Sequence, residues 1–279
     1  MRAHRFMTGI LSVSLVTFIA SCNNQDKEAK RIEAADTIAY ETRTYDIPDT
    51  RYSSDPALQT HFKVTYPDII EKVPSAVKDS IAAHIAAFIE DSETPVQNFP
   101  KIEQQAQKLF DEYAEVYAEF KNETSWLVDK QVKIEGKLGN LLSISFSESS
   151  YKGGAHPNSS TIFKVFDLTN GKVISLYQIL DPAKKDQLNA LRLKTLNDMK
   201  ESAMPGGEWK TYMFNEAFEP AGNFNTNENF SLTKDSIQFF YNSYDIAAYA
   251  FGPTSLKIPL SEIKPFVNPK SEYARYLTQ

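Results

Sequence analysis

The sequence predicts an α+β fold, a largely antiparallel sheet or sheets covered by about three amphipathic helices. Three observations predict it. Strand-like alternation and helix-like periodicity come in blocks rather than in strict succession, each helical stripe is apolar on one face only, and no repeat of fixed period runs through the 279 residues. With 42% hydrophobic and 24% charged residues, 18 Phe and 14 Tyr, the chain can bury a core, as one large domain or two small ones.

From Thr37 the pattern alternates, with Ile38, Tyr40 and Tyr45 interleaved with polar residues as in a half-buried strand. Phe62, Val64 and Tyr66 alternate again, and Pro67 is expected to close that strand. Residues Ser75 to Asp91 place Val77, Ile81, Ile85, Phe88 and Ile89 on one helical stripe. Ile102 to Lys121 does the same with Leu109, Phe110, Tyr113 and Tyr117, and Lys184 to Lys200 with Leu188, Leu191, Leu196 and Met199. Further strands are expected around Trp126–Ile134, Leu142–Phe146, Thr161–Leu168, Lys172–Leu176, Phe230–Leu232, Ile237–Tyr241 and Leu256–Leu260. The Asn170-Gly171 step between two of them is a hairpin signal, because both types tolerate the positive φ of a tight turn. Asn223–Asn229 reads as a polar loop.

The single cysteine excludes a disulfide framework and thiolate metal sites. It also marks the chain's start. Arg2 and Arg5 precede an uncharged run from Met7 to Ala20 that is too short to span a bilayer comfortably. Ile19-Ala20-Ser21-Cys22 then resembles a bacterial lipobox, in which the cysteine is lipidated after cleavage before it. The expectation is a signal peptide over 1–21, membrane anchoring through Cys22, and a polar tether over 22–36. Asn23 after the cysteine is compatible with sorting to the outer membrane of a diderm envelope. Loss of Arg2 and Arg5 takes the net charge from −6 to −8, which argues against a nucleic-acid partner.

Chemistry-bearing motifs are sparse. The mature chain has only His61, His84 and His156, with no His-Glu-x-x-His, no Gly-x-Ser-x-Gly elbow and no phosphate loop, so neither a metal site nor a cofactor is expected. His84 sits on an apolar helix stripe and reads as a satisfied core histidine, while His61 starts a strand. Asp111, Glu112, Glu115 and Glu119 read as a solvated helix face. The segment Ser149 to Asn158 stands out through Tyr151, Lys152, Gly153, Gly154, His156 and Asn158. Two glycines allow positive φ or close approach of a partner, and Tyr and His can stack and hydrogen-bond. It reads as a tight connection, as a binding surface, or as the seat of a catalytic histidine. Tyr244 and Tyr249, within the aromatic stretch Tyr241–Phe251, belong either to a carbohydrate platform or to core packing before Gly252-Pro253.

Tyr151-Lys152-Gly153-Gly154-Ala155-His156-Pro157, followed by Phe166-Asp167-Leu168-Thr169-Asn170-Gly171-Lys172, resembles the accessory domain of PdaC-type polysaccharide deacetylases. Ile237–Tyr241, Tyr244–Ala247, Tyr249-Ala250, Gly252 and Ile258–Leu260 resemble the adjoining C-terminal domain of unknown function. The same pair forms the extracellular part of RsiV-type anti-sigma factors, which sense lysozyme. The resemblance spans roughly Ile38 to Val267. It implies an α+β fold, a PdaC-accessory-like region over 37–180, an RsiV-like region over 181–267 and a tail over 268–279. Here Pro157 follows His156 where that family often has glycine, and neither a deacetylase metal set nor a sigma-binding segment is present in the sequence. The expectation is a lipid-anchored, non-enzymatic envelope protein that binds a lysozyme-like hydrolase or peptidoglycan. The alternative is an envelope hydrolase that uses His156 on cell-wall polymer.

Overall fold

The computed structural model describes residues 31–32, 38–71, 73–120, 124–203, 209, 213 and 227–278. The expected signal peptide and Cys22 lie outside the described residues. So does the tether apart from Arg31–Ile32, which form a short strand β1 beside β2 (Ala39–Asp49).

The architecture is α+β, as expected. A seven-stranded sheet runs in sequence order from β1 to β7, and a three-stranded antiparallel sheet has the order β10-β9-β8. The large sheet continues through β3 (Thr60–Glu71), β4 (Leu127–Leu138), β5 (Leu141–Tyr151), β6 (Asn158–Asp167) and β7 (Val173–Ile174). Every pair in it is antiparallel except β3 with β4. A parallel pair needs a crossover, and α1 (Ser75–Glu90) and α2 (Ile102–Phe120) supply it.

Periodicity explains how the two faces are used. Leu142, Ile144, Phe146 and Phe166 pack with Val77, Ile81 and Ile85 of α1 and with Leu109, Phe110 and Tyr113 of α2. The alternating neighbours Leu141 and Val165 join a second core on the other face, with α4 (Lys185–Ala203), β8 (Phe230–Leu232), β9 (Ser236–Tyr241) and β10 (Thr254–Pro259). The first six residues of β5 are all buried because both faces of this strand are covered. Each large apolar side chain buried in this way contributes about 1.5–3 kcal/mol.

Ser143 brings the second layer close to the sheet. Its hydroxyl donates to Leu232 O at 2.9 Å and accepts from Leu232 N at 2.7 Å, so β8 rests with its backbone on β5. Gly136 allows the same approach from β4, since a Cβ there would lie 3.3 Å from Leu232 O.

Four local features differ from the pattern reading. β3 runs past Pro67, because its ladder to β4 ends at Thr65 and the missing N–H breaks no rung on that side. The strand expected over Lys172–Leu176 stops at Ile174, because the Gln178 side chain accepts from Ser175 N–H at 2.8 Å and starts α3 (Leu176–Ile179). β10 ends at Pro259, and Leu260 opens the short helix α5 (Leu260–Ile263). Beyond Val267 the chain folds back into the core, with α6 at Ala274–Leu277. Tyr273 OH donates to Asp167 Oδ2 at 3.1 Å and Leu277 is buried. Gly139 (φ +58°) lies so close to the Tyr276 ring that a Cβ would sit 2.1 Å from a ring carbon.

Candidate functional site

The Gly-Gly segment is shorter than the sequence suggested. β5 carries Ser149, Ser150 and Tyr151, and Asn158 already pairs with Ser150 as the first residue of β6. Only residues 152–157 form the connection, and Gly153 (φ +88°) and Gly154 (φ +96°) make the turn there. A Cβ on Gly154 would meet nothing within 4 Å, so this glycine answers to conformation and faces open space. Tyr151 OH closes the turn by donating to Gly154 O at 3.1 Å.

His156 is stacked on Tyr249, with ring centroids 3.8 Å apart and planes 15° apart. The two side chains share one acceptor. Tyr249 OH donates to Pro157 O at 2.7 Å, and His156 Nδ1 lies 2.9 Å from the same oxygen. A carbonyl only accepts, so Nδ1 carries the proton and Nε2 of the neutral ring is an acceptor. Tyr244 OH approaches that nitrogen at 3.4 Å, and the Tyr244 ring lies 5.8 Å from Tyr249. Tyr244, 53% exposed, holds the left-handed conformation with φ +73°, which an aromatic residue rarely adopts.

That conformation is held from several sides. Asn242 N–H donates to Asp245 Oδ2 at 2.7 Å, and Tyr244 N–H donates to Ala247 O at 3.2 Å. Asn242 also docks its side chain on the edge of β6, accepting from Thr161 N at 2.7 Å and donating to Thr161 O at 3.1 Å. Its amide replaces a strand partner, and so the turn is tied to the strand that follows His156. The stretch Tyr241–Phe251 divides between core and surface. Tyr241 and Ile246 enter the core, while Tyr244 and Tyr249 meet His156 at the surface.

Lys152 leaves the loop in the other direction. Its Nζ donates to Glu112 Oε2 at 2.8 Å and lies 5.7 Å above the Trp126 ring. Glu112, read from sequence as part of a solvated face, thus fastens the loop to α2. Trp126 packs edge-on to Tyr113 at 5.4 Å, and Tyr113 to Tyr52 at 5.4 Å. Sequence reasoning passed over Tyr52 and Asn242. Both stand in turn-rich segments with no periodicity to mark them.

The other two described histidines, His84 and His61, have structural partners. His84 Nδ1 lies 2.8 Å from Ser80 O with its ring edge-on to Phe166, and burial pushes its pKa down. His61 Nδ1 lies 2.6 Å from Asp46 Oδ1. Partial burial would raise the pKa of Asp46, but hydrogen bonds from His61 and Lys63 outweigh it and hold the carboxyl low. Among the described residues, no group of three or more His, Cys, Asp or Glu is placed to hold a metal ion. No helix among them is long and apolar enough to cross a membrane. A cavity of about 320 Å³ opens between β3 and α1, lined by Tyr66, Ile69, Ile81, Ile85 and Phe99. It lies toward the end of β3 away from His61, and its lining includes none of the loop residues.

The fold and the loop define a two-part α+β protein in which a helix-backed sheet carries a smaller C-terminal sheet on its other face. Residues 44–159 match the family model described as deacetylase PdaC, and residues 177–261 match the one described as a protein of unknown function, DUF3298. The chain thus carries a PdaC region followed by a DUF3298 region. A DUF3298 family member from Bacteroides fragilis is similar in structure, with a TM-score of 0.64 at 23% identity over 86% of this chain and 98% of that one. A DUF3298 protein from Pseudomonas aeruginosa PAO1 gives a TM-score of 0.56 at 19% identity over 82% and 94%. At these identities the likeness is one of fold. No curated protein matches the sequence.

Proposed function

We propose that this chain is a lipid-anchored, non-enzymatic protein of the bacterial envelope that binds cell-wall glycan at the platform formed by His156, Tyr244 and Tyr249. Cys22 is the anchoring residue, and Asn23 beside it is compatible with outer-membrane placement. The observation that carries the binding reading is the near-parallel stack of His156 on Tyr249 beside an exposed Tyr244 with φ +73°. A rigid aromatic surface offers a flat apolar area at low entropic cost, and the hydroxyls and imidazole around it supply hydrogen-bonding groups. Sugar rings pair an apolar face with hydroxyl edges and match such a surface. The open space at Gly154 leaves room for the ligand to approach the loop backbone.

The arrangement around His156 favours binding over hydrolysis. A histidine general base works with an orienting carboxylate and a nucleophile. Here Nδ1 is oriented by a backbone carbonyl and Nε2 faces a tyrosine hydroxyl. The test is calorimetric titration of the purified protein with soluble peptidoglycan fragments and, in a separate arm, with lysozyme. Saturable binding of the fragments that is lost in Tyr249→Ala supports the reading. Binding of lysozyme alone would replace the glycan with a protein partner, and binding of neither would remove the reading.

A further inference from the structure

The large sheet has two ends, and the chain puts different chemistry at each. Ser150 pairs with Asn158 at the platform end, and Leu141 pairs with Asp167 at the other. β5 runs 11 residues between them, about 33 Å along the strand. His61 pairs with Leu127 and Leu127 with Tyr151, so β3 starts level with the platform and runs away from it. β1 arrives at the far end, where Ile32 pairs with Tyr40 and Tyr40 with Ile69. Nine residues separate Cys22 from Arg31, a reach of at most about 32 Å.

Charge also divides between the ends. At the far end a groove of about 530 Å³ opens between the β4–β5 turn, the β8–β9 turn and β10, lined by Gly136, Lys137, Gly139, Lys234 and Lys257. Lys234 and Lys257 are exposed. Exposed Arg275 stands beside them, 4.9 Å from the ring of Tyr276, which lies against Gly139. The groove also holds Glu135, which accepts from Ser145 Oγ at 2.5 Å, and Asp235, which accepts from Thr233 Oγ1 at 2.7 Å. Four cations therefore face two carboxylates, in a chain whose net charge is −6. The balance is reversed toward the platform end, where Asp111, Glu112, Glu115 and Glu119 are exposed along the second half of α2 and Arg51 and Lys152 pair with the first two.

We infer that the groove of Lys137, Lys234 and Lys257 docks on anionic phospholipid headgroups of the membrane that holds Cys22, so that the His156 platform points away from the bilayer. The inference rests on the lipid-anchoring reading given above and adds an orientation to it. An acylated Cys22 confines the groove within one tether length of the headgroups, so weak ionic contacts act at high effective concentration. Each lysine close to an anionic surface strengthens attachment about fivefold, and salt screens the effect. With the groove on the lipid, the platform stands about 30 Å further out.

The chain's own chemistry supplies the test. Cys22 is its only cysteine, so once that thiol is acylated an introduced cysteine is the one group open to a nitroxide label. Lys172→Cys is exposed in the turn at the anchoring end, and Ser159→Cys is exposed on β6 at the platform end. Each full-length variant is expressed in a diderm host, labelled and reconstituted into vesicles of phosphatidylglycerol or of phosphatidylcholine. Collision with a nickel chelate carried on the headgroups reports the height of the label. In phosphatidylglycerol the Lys172→Cys label should collide strongly and the Ser159→Cys label hardly at all. That difference should be lost in phosphatidylcholine, in molar salt, and in protein that also carries Lys234→Glu and Lys257→Glu, whose folding circular dichroism checks. Equal collision of the two labels in phosphatidylglycerol, or a difference that survives all three changes, would overturn the docking and leave the anchor standing. Failure to float with phosphatidylcholine vesicles would overturn the anchor. Flotation with phosphatidylglycerol alone, lost with the two lysines, would then still support the groove.

Discussion

Pro157 shows how one residue can organise a surface. Its carbonyl receives both His156 Nδ1 and Tyr249 OH, and this double contact sets the two rings face to face. Replacing Tyr249 by alanine removes the ring and the hydrogen bond together, and glycan affinity should fall about tenfold or more. Tyr249→Phe keeps the stack and should fall much less, as measured by calorimetry. Asp167 illustrates an ionisable group serving the fold. Burial would raise its pKa, but bonds from Thr169 N at 2.8 Å, Thr169 Oγ1 at 2.7 Å, Asn170 Nδ2 at 3.1 Å and Tyr273 OH at 3.1 Å outweigh burial and lower it. A carboxyl with a depressed folded pKa contributes stability above its unfolded pKa of about 3.9 and loses it as pH falls through the folded value. Urea denaturation at falling pH should show this loss in the wild type. Asp167→Asn should cost about 2 kcal/mol near neutrality and flatten that part of the profile.

At the scale of elements, the fold was legible where it depends on local periodicity. The three long helices and the strands of the central sheet follow from apolar spacing, and the Asn170-Gly171 turn from residue chemistry, with Gly171 at φ +74°. The parallel pairing of β3 with β4 was not legible, because nothing in either strand names its neighbour across two intervening helices. The same holds for the site. The sequence marked His156 and Tyr249 as candidates, but the bond from Tyr249 OH to Pro157 O joins residues 92 positions apart. Tyr52 and Asn242 went unseen because their roles lie in what they touch. The contact of β8 with β5 makes its own prediction. Ser143→Ala leaves the buried N–H and C=O of Leu232 without the hydroxyl that serves both, at a cost of about 2–4 kcal/mol by chemical denaturation. Gly139→Ala should force the Tyr276 ring away and loosen α6, seen as faster hydrogen exchange in residues 274–277.

For the whole molecule, the two regions share one core. Leu138, Leu141, Val165 and Ile174 of the first region pack in the same core as Leu196, Phe239 and Leu256 of the second. A chain ending at residue 180 would expose that face, so the regions should not unfold independently. Trp126 lies in one region and Trp209 in the other, and both are buried. Single-tryptophan variants, Trp126→Phe and Trp209→Phe, should report coincident unfolding transitions in urea. Two separated transitions would show that the cores are independent. This coupling also bears on function, because the platform takes His156 from the first region and Tyr244 and Tyr249 from the second. The joined cores hold these rings in register, and an aromatic surface binds well only when it is preorganised. The most direct test of that claim is calorimetric titration of wild-type protein and Tyr249→Ala with soluble peptidoglycan glycan. The account predicts saturable binding to the wild type, weakened at least about tenfold in the variant. Equal affinity in the two proteins, or no binding to the wild type, would contradict it.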